Sequence, residues 1–156
     1  MQRMLIVEDE RDVCECLAEF FAMKGFSVVS AFSGEEALEQ LNAQPVDVIL
    51  LDILLPGISG LEVLRRAKAK HPSAKVVMVT SLDQLDLRQE AHRCGAAAYV
   101  TKPFDFSPTT WSVVFSSPSR VVVQAPVHDS DGGASTKLLS RARARMSSSH
   151  SANRSS

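Results

Sequence analysis

Apolar positions along the first two thirds of the chain alternate between short continuous runs and stripes at helical spacing. Five runs have the length and composition of β-strands: Met4–Val7, Phe26–Ser30, Val46–Leu51, Lys75–Thr80 and Ala97–Val100. Val46–Leu51 is apolar except for Asp47, which we expect to face water where the strand begins. Continuous apolar strands separated by helical segments predict a doubly wound, five-stranded parallel sheet of the α/β class, covered on both faces.

Four helical segments lie between these runs. The first, Arg11–Met23, has apolar residues at spacing i, i+4, i+7, i+8 and is followed by Gly25, where a left-handed cap is expected. The second begins with the capping box Ser33-Gly-Glu-Glu36. The third runs from Leu61 to about Lys70 and the fourth over Asp83–Arg93. These segments supply the helices that a doubly wound sheet requires.

The pattern weakens after residue 105. Ser107 and Pro108 make a fair helix start, because serine caps N-termini and proline suits the first helical position. β-branched residues follow, and Pro118 would end any helix there, so we expect the last helix to be short or missing. From about Ser116 the sequence is rich in serine with scattered arginine, which predicts a flexible, disordered tail.

The chain thus divides into a folded domain, residues 1–105, and a second part, residues 106–156, with a degraded last helix and a Ser/Arg-rich flexible tail. A missing helix would leave apolar strand surface uncovered and favour association with partners or with itself. The abrupt loss of pattern also suggests a shifted reading frame after about residue 106, which translation of the gene's other two frames would test. We expect no DNA-binding or other output domain in the second part, and the basic segment 137–146 is more typical of a solvated tail.

Charge separates the same two parts. Residues 1–105 hold 11 of the 17 Lys and Arg and 16 of the 18 Asp and Glu, a net charge of −5, whereas residues 106–156 carry +4. No apolar run approaches the roughly 20 residues of a membrane span, and acidic residues come too early for a signal peptide. Cys14, Cys16 and Cys94 lack metal-ligand spacing, so we expect reduced thiols and a cytoplasmic protein.

Residues able to do chemistry gather where the predicted strands end. The ends read Glu8-Asp9-Glu10, Asp52, Thr80-Ser81 and Tyr99-Val-Thr-Lys102. The carboxyl ends of parallel strands meet at one edge of the sheet, where ligands bind. Any of these residues alone is more often a loop residue or a helix cap, but their ordered combination indicates a site.

The chemistry of that site follows from its charges. Carboxylates from neighbouring strands would repel each other, and a divalent cation with oxygen ligands, such as Mg²⁺, removes this conflict. Lys102 adds a second positive charge, so the site is suited to receive a phosphoryl group. Asp52 is the carboxylate best placed to accept that group covalently.

Residues 1–105 resemble the receiver domain of bacterial two-component response regulators. The resemblance rests on LIVEDE at 5–10, LLDILLPGISG at 50–60, VMVTS at 77–81 and AAAYVTKPF at 96–104. It implies a flavodoxin-like fold with strand order 2-1-3-4-5, an order that is borrowed from the family. It also implies a phosphoprotein that receives its phosphoryl group from a sensor histidine kinase or a phosphotransfer protein, with no enzymatic activity beyond self-catalysed phosphoryl transfer and autodephosphorylation.

The resemblance assigns roles to individual residues. Asp52 is the phosphoacceptor, and Mg²⁺ is held by Glu8, Asp9, Asp52 and the backbone carbonyl of Leu54. Lys102 contacts the phosphoryl group. The protein would then be a stand-alone, Mg²⁺-dependent receiver with an unknown downstream target.

Thr80 and Tyr99 form the switch on this resemblance, with Thr80 bonding a phosphoryl oxygen and Tyr99 filling the space that Thr80 leaves. The contacts that change would lie on the face of the fourth helix and fifth strand, where a dimer could also form. A cis peptide bond is implied before Pro103. Leu54 and Leu82 are apolar where a polar side chain could orient an attacking water, so we expect slow self-dephosphorylation.

Two other functions stay open at this point. The same fold could serve as a non-phosphorylated or truncated interaction module. A hydrolase of acyl phosphates with an aspartate nucleophile is weaker, because no second acid stands two residues after Asp52.

Overall fold

The computed structural model describes residues 1–116, which form a parallel sheet flanked by helices. The strands are β1 (Arg3–Val7), β2 (Ser27–Ala31), β3 (Val48–Leu51), β4 (Lys75–Thr80) and β5 (Ala98–Thr101). Every pairing is parallel, and the strand order is β2-β1-β3-β4-β5. The predicted fold class and strand order are therefore confirmed.

The helices alternate with the strands along the chain. They are α1 (Arg11–Met23), α2 (Gly34–Ala43), α3 (Gly60–Lys70), α4 (Leu85–Arg93) and α5 (Pro108–Phe115). Ser33 caps α2 as predicted, because its hydroxyl accepts the Glu36 N–H at 3.1 Å. The Glu36 carboxylate accepts the N–H of Phe32 at 2.9 Å, one residue before the N-cap, so the reciprocal bond of the capping box is shifted by one residue. α4 begins two residues later than predicted, at Leu85.

The sheet separates two apolar cores. Met4 and Ile6 of β1 face the core beneath α1 and α5, whereas Leu5 and Val7 face the core beneath α2, α3 and α4. All four side chains are buried, because a central strand of such a sheet is covered on both faces. Asp47 is exposed at the approach to β3, as predicted.

α5 exists as a helix of about two turns, the short form expected from the sequence. The Ser107 hydroxyl accepts the Thr110 N–H at 3.3 Å, and Pro108 occupies the first turn. Trp111 and Val114 are buried against the sheet. The helix is short, yet it contributes its large side chains to the core.

Aromatic side chains fill the space under α5. The Trp111 ring meets the rings of Phe21 and Phe104 edge-on at 5.3 Å in each case, and Phe106 stacks on Phe20 at 4.5 Å. The sequence led us to expect uncovered apolar strand surface here. That expectation is wrong, because the side chains of β1, β3, β4 and β5 on this face are buried or packed against the buried core.

The remaining sequence predictions fall in two groups. Cys14, Cys16 and Cys94 form no disulfide within residues 1–116, and Cys14 and Cys16 are buried. Across residues 1–116, the helices are too short and too polar to cross a membrane. Residues 117–156 lie outside the described residues. The predictions of a flexible tail and of a solvated basic segment concern these residues, as does most of the segment to which the shifted-frame hypothesis applies.

Candidate metal and phosphoryl site

Backbone hydrogen bonds bring the ends of four strands together at the carboxyl edge of the sheet. The Asp52 N–H donates to the Val7 carbonyl at 3.1 Å, which fixes the end of β3 beside the end of β1. The Lys102 N–H donates to the Thr80 carbonyl at 2.9 Å, which does the same for β5 and β4. These bonds continue the sheet just past its strands. The residues at the ends of the strands therefore lie side by side at the carboxyl edge.

Three carboxylates meet there. One carboxylate oxygen from each of Glu8, Asp9 and Asp52 lies within 4.8 Å of the others. Glu8 and Asp52 are 1% and 4% exposed, whereas Asp9 faces solvent. Burial, reinforced by the charge of Asp52, raises the pKa of Glu8 to about 8 and also raises the pKa of Asp9. Such a cluster of oxygen donors is what Mg²⁺ prefers in proteins.

Lys102 supplies the positive charge of the cluster. Its Nζ lies 2.7 Å from Glu8 Oε2, 2.9 Å from Asp52 Oδ2 and 3.7 Å from Glu10 Oε1. Burial alone would lower the pKa of Lys102, but the Glu8 and Asp52 carboxylates outweigh it and hold the pKa above its ordinary value. One lysine among four carboxylates leaves an excess of negative charge. The residues present therefore fit a bound divalent cation.

The loop after β3 is built tightly around Asp52. The Leu54 N–H donates to Asp52 Oδ1 at 3.1 Å, and the Gly60 N–H donates to the Ile53 carbonyl at 2.9 Å. A Cβ atom on Gly60 would lie 1.9 Å from the Asp52 backbone oxygen, so only glycine fits. The residue pattern did not reveal this role of Gly60. The Leu54 carbonyl as a metal ligand stays a prediction.

Thr80 and Tyr99 are connected to each other through hydrogen bonds to Leu82. The Thr80 hydroxyl, fully buried, accepts the Leu82 N–H over a long 3.4 Å, and the Tyr99 hydroxyl donates to the Leu82 carbonyl. Sequence reasoning missed this link, since backbone bonds of a loop leave no trace in residue types. The peptide bond between Lys102 and Pro103 is cis, as the resemblance implied.

The sequence-predicted residues thus fall into two groups. Glu8, Asp9, Asp52 and Lys102 are in direct proximity at the carboxyl edge. Thr80 ends the strand next to β3, and its side chain bonds Leu82 in this structure. An acidic cluster with a buried aspartate and a contacting lysine, at the carboxyl edge of a 2-1-3-4-5 sheet, defines a receiver-type site.

The chain belongs to the response regulator receiver domain family. The model of that family matches residues 4–110. The match covers the acidic cluster, Lys102 and the start of α5.

Individual relatives agree with this assignment. The chain is 34% identical over 104 residues to sporulation initiation phosphotransferase F of Bacillus subtilis, covering 67% of this chain and 84% of that protein. It is 35% identical over 118 residues to a cyclic di-GMP phosphodiesterase of Thermotoga maritima, covering 76% of this chain but 32% of that protein. The chain therefore spans about a third of the phosphodiesterase's length.

A solved structure shows the same architecture. The response regulator protein TrrA from Thermotoga maritima, solved in complex with Mg²⁺-BeF, is 34% identical with a TM-score of 0.65. The alignment covers 74% of this chain and 98% of that one.

Proposed function

We propose that Asp52 accepts a phosphoryl group from the phosphohistidine of a sensor histidine kinase or a phosphotransfer protein, in a Mg²⁺-dependent reaction. The observation that carries this proposal is the buried Asp52 carboxylate, with Lys102 Nζ at 2.9 Å and oxygens of Glu8 and Asp9 within 4.8 Å. The Mg²⁺-BeF complex of the relative TrrA supports the choice of cation.

The transfer is a displacement at phosphorus. A carboxylate oxygen of Asp52 forms a bond to phosphorus while the phosphorus–nitrogen bond breaks, and the released imidazole takes up a proton. Lys102, already in contact with the Asp52 carboxylate, is positioned to contact the transferred oxygens and reduce their charge. Mg²⁺, held by Glu8, Asp9, Asp52 and the Leu54 carbonyl, would supply further charge neutralisation.

Phosphorylation then changes protein contacts. The acyl phosphate adds roughly one to two negative charges, and the Thr80 hydroxyl would turn to donate to one of its oxygens. Tyr99 would follow, altering the face formed by α4 and β5. Leu85 on α4 is 66% exposed and offers an apolar contact there for a protein target or a second copy of the chain.

We further propose that the receiver acts in the cytoplasm and that residues 106–156 do not form a DNA-binding domain. Residues 106–156 carry no sequence pattern typical of such a domain, and the three cysteines, all within the described part of the chain, form no disulfide with one another, as is usual in the cytoplasm.

Intact-mass measurement after treatment with acetyl phosphate tests the proposal. We expect the mass of one phosphoryl group to be gained with Mg²⁺, and the gain to vanish with EDTA or in Asp52→Ala. Asp47→Ala, which removes an exposed carboxylate before the same strand, should behave as wild type. No gain in the wild type would favour an interaction module that is not phosphorylated.

A further inference from the structure

An arginine covers the ring of the chain's only tyrosine. The guanidinium carbon of Arg88, on α4, lies 4.8 Å from the ring centroid of Tyr99, on β5. Arg88 Nε donates to Asp83 Oδ1 at 2.6 Å, and Asp83 lies just before α4. The aspartate therefore helps to hold the guanidinium over the aromatic face, in a geometry that gives cation–π attraction.

The same tyrosine is held at its other end. Its hydroxyl donates to the Leu82 carbonyl, and the Leu82 N–H donates to the Thr80 hydroxyl. Besides packing against the core, the Tyr99 side chain thus has two specific contacts, one with the backbone of the loop after β4 and one with Arg88. When Thr80 turns toward a phosphoryl oxygen, Leu82 loses its acceptor, while the contact with Arg88 is not directly affected.

We propose that Arg88, held by Asp83, is a positioning residue that sets the resting orientation of Tyr99. It thereby sets how readily phosphorylation at Asp52 reorients the ring. This inference rests on the proposed function, since it requires that Asp52 be the phosphoacceptor. Arg88 opposes reorientation of the ring. Its loss therefore lets the α4–β5 face respond at a lower fraction of phosphorylated Asp52.

The size of the effect follows from the exposure of the contact. The side chains of Arg88 and Asp83 are 40% and 61% exposed, so water weakens both the ion pair and the cation–π contact. A cation–π contact at an exposed site biases an equilibrium by about 2- to 5-fold. Arg88→Gln should therefore shift the balance between the two ring orientations by that factor.

The single tyrosine permits a direct measurement. The full chain is labelled with 3-fluorotyrosine, and its ¹⁹F resonance is followed while beryllofluoride, a phosphoryl mimic, is titrated in the presence of Mg²⁺. We expect the wild-type resonance to move between a free and a bound position. In Arg88→Gln the free resonance should lie closer to the bound position, with the titration midpoint lowered about 2- to 5-fold.

Three further variants make the result specific. Arg88→Lys keeps a cation over the ring and should restore part of the wild-type behaviour. Arg93→Gln removes another arginine of α4, one that pairs with Glu90, and should titrate as wild type. Asp83→Asn should shift the midpoint in the same direction as Arg88→Gln, and it replaces that variant if Arg88→Gln does not fold.

The outcomes separate this inference from the proposed function. A wild type that responds to beryllofluoride, with Arg88→Gln and Asp83→Asn titrating as wild type, overturns the role of Arg88 alone. A wild type whose resonance does not respond, and which gains no phosphoryl mass, overturns the proposed function and this inference with it.

Discussion

Replacing Glu8 with glutamine tests the electrostatic account of the acidic cluster. Glu8 is 1% exposed, and burial, aided by the charge of Asp52, outweighs the opposing charge of Lys102 and raises the pKa of Glu8 from 4.5 to about 8. The folded protein therefore keeps a proton on Glu8 over a pH range in which the unfolded chain has lost it. The stability from this group is fully present below about pH 4.5 and is lost as the pH rises through about 8.

The pKa shift of Glu8 sets the size of the change in unfolding free energy. One pKa unit corresponds to about 1.4 kcal/mol, so Glu8 accounts for a loss of up to about 5 kcal/mol between pH 4.5 and about 8. That is comparable with the whole stability of a marginal domain, roughly 5–15 kcal/mol. Glutamine has no such proton equilibrium, so Glu8→Gln should be more stable than wild type at about pH 8 by about 2 kcal/mol or more. Mg²⁺ should narrow the difference, because it stabilises the ionised carboxylates of the wild type.

Urea unfolding without Mg²⁺ at about pH 5 and about pH 8 measures this effect. Trp111, the chain's only tryptophan, is fully buried and reports unfolding by fluorescence. Glu39→Gln removes the same charge from an exposed position of α2 and should keep the wild-type pH dependence. The reasoning is refuted if wild-type stability is constant or rises over this range, or if Glu8→Gln retains the wild-type loss.

Four other substitutions have defined outcomes. The Lys75 ammonium donates to the carbonyls of Val113 in α5 and of Ser116, its C-cap residue. Lys75→Met should therefore lower the unfolding free energy by about 1–3 kcal/mol in urea titrations, and an unchanged midpoint would contradict this. Gly60→Ala forces a Cβ against the backbone oxygen of Asp52, so it should lower the unfolding free energy by about 1–3 kcal/mol and slow phosphorylation. Phosphorylation at the wild-type rate in the mass assay would show that this clash does not disturb Asp52. Leu54→Asn or Leu82→Glu should change the lifetime of the phosphorylated protein, which is measured as the loss of phosphoryl mass over time. Identical decay in both variants and the wild type would show that these two positions do not control attack by water.

The strands and the acidic cluster were predictable because each leaves a local signature. A strand covered on both faces must be apolar throughout, as Val48–Leu51 is, and a charged residue directly after it marks the sheet edge. Since parallel strands end at one edge, Glu8, Asp52 and Lys102 could be grouped from their order alone.

Features that depend on packing between distant parts of the chain were harder to predict from the sequence. α5 has β-branched residues and weak helical propensity, yet Trp111 packs against Phe21, a contact that spans 90 positions of the sequence. The cap that Lys75 gives α5 joins β4 to a helix 38 residues away at Val113. Such contacts stabilise α5 although its own sequence disfavours a helix. The short length of α5 could therefore be predicted, but not that its side chains would cover the sheet.

The central claim is that Asp52 itself forms an acyl phosphate beside a metal. Treating the full chain with acetyl phosphate, reducing the product with borohydride and sequencing its peptides by mass spectrometry tests this directly, because borohydride converts an aspartyl phosphate to homoserine. The account predicts homoserine at position 52, only with Mg²⁺, and none in Glu8→Ala/Asp9→Ala. Aspartate left intact at position 52, or homoserine formed at another carboxylate, would contradict it.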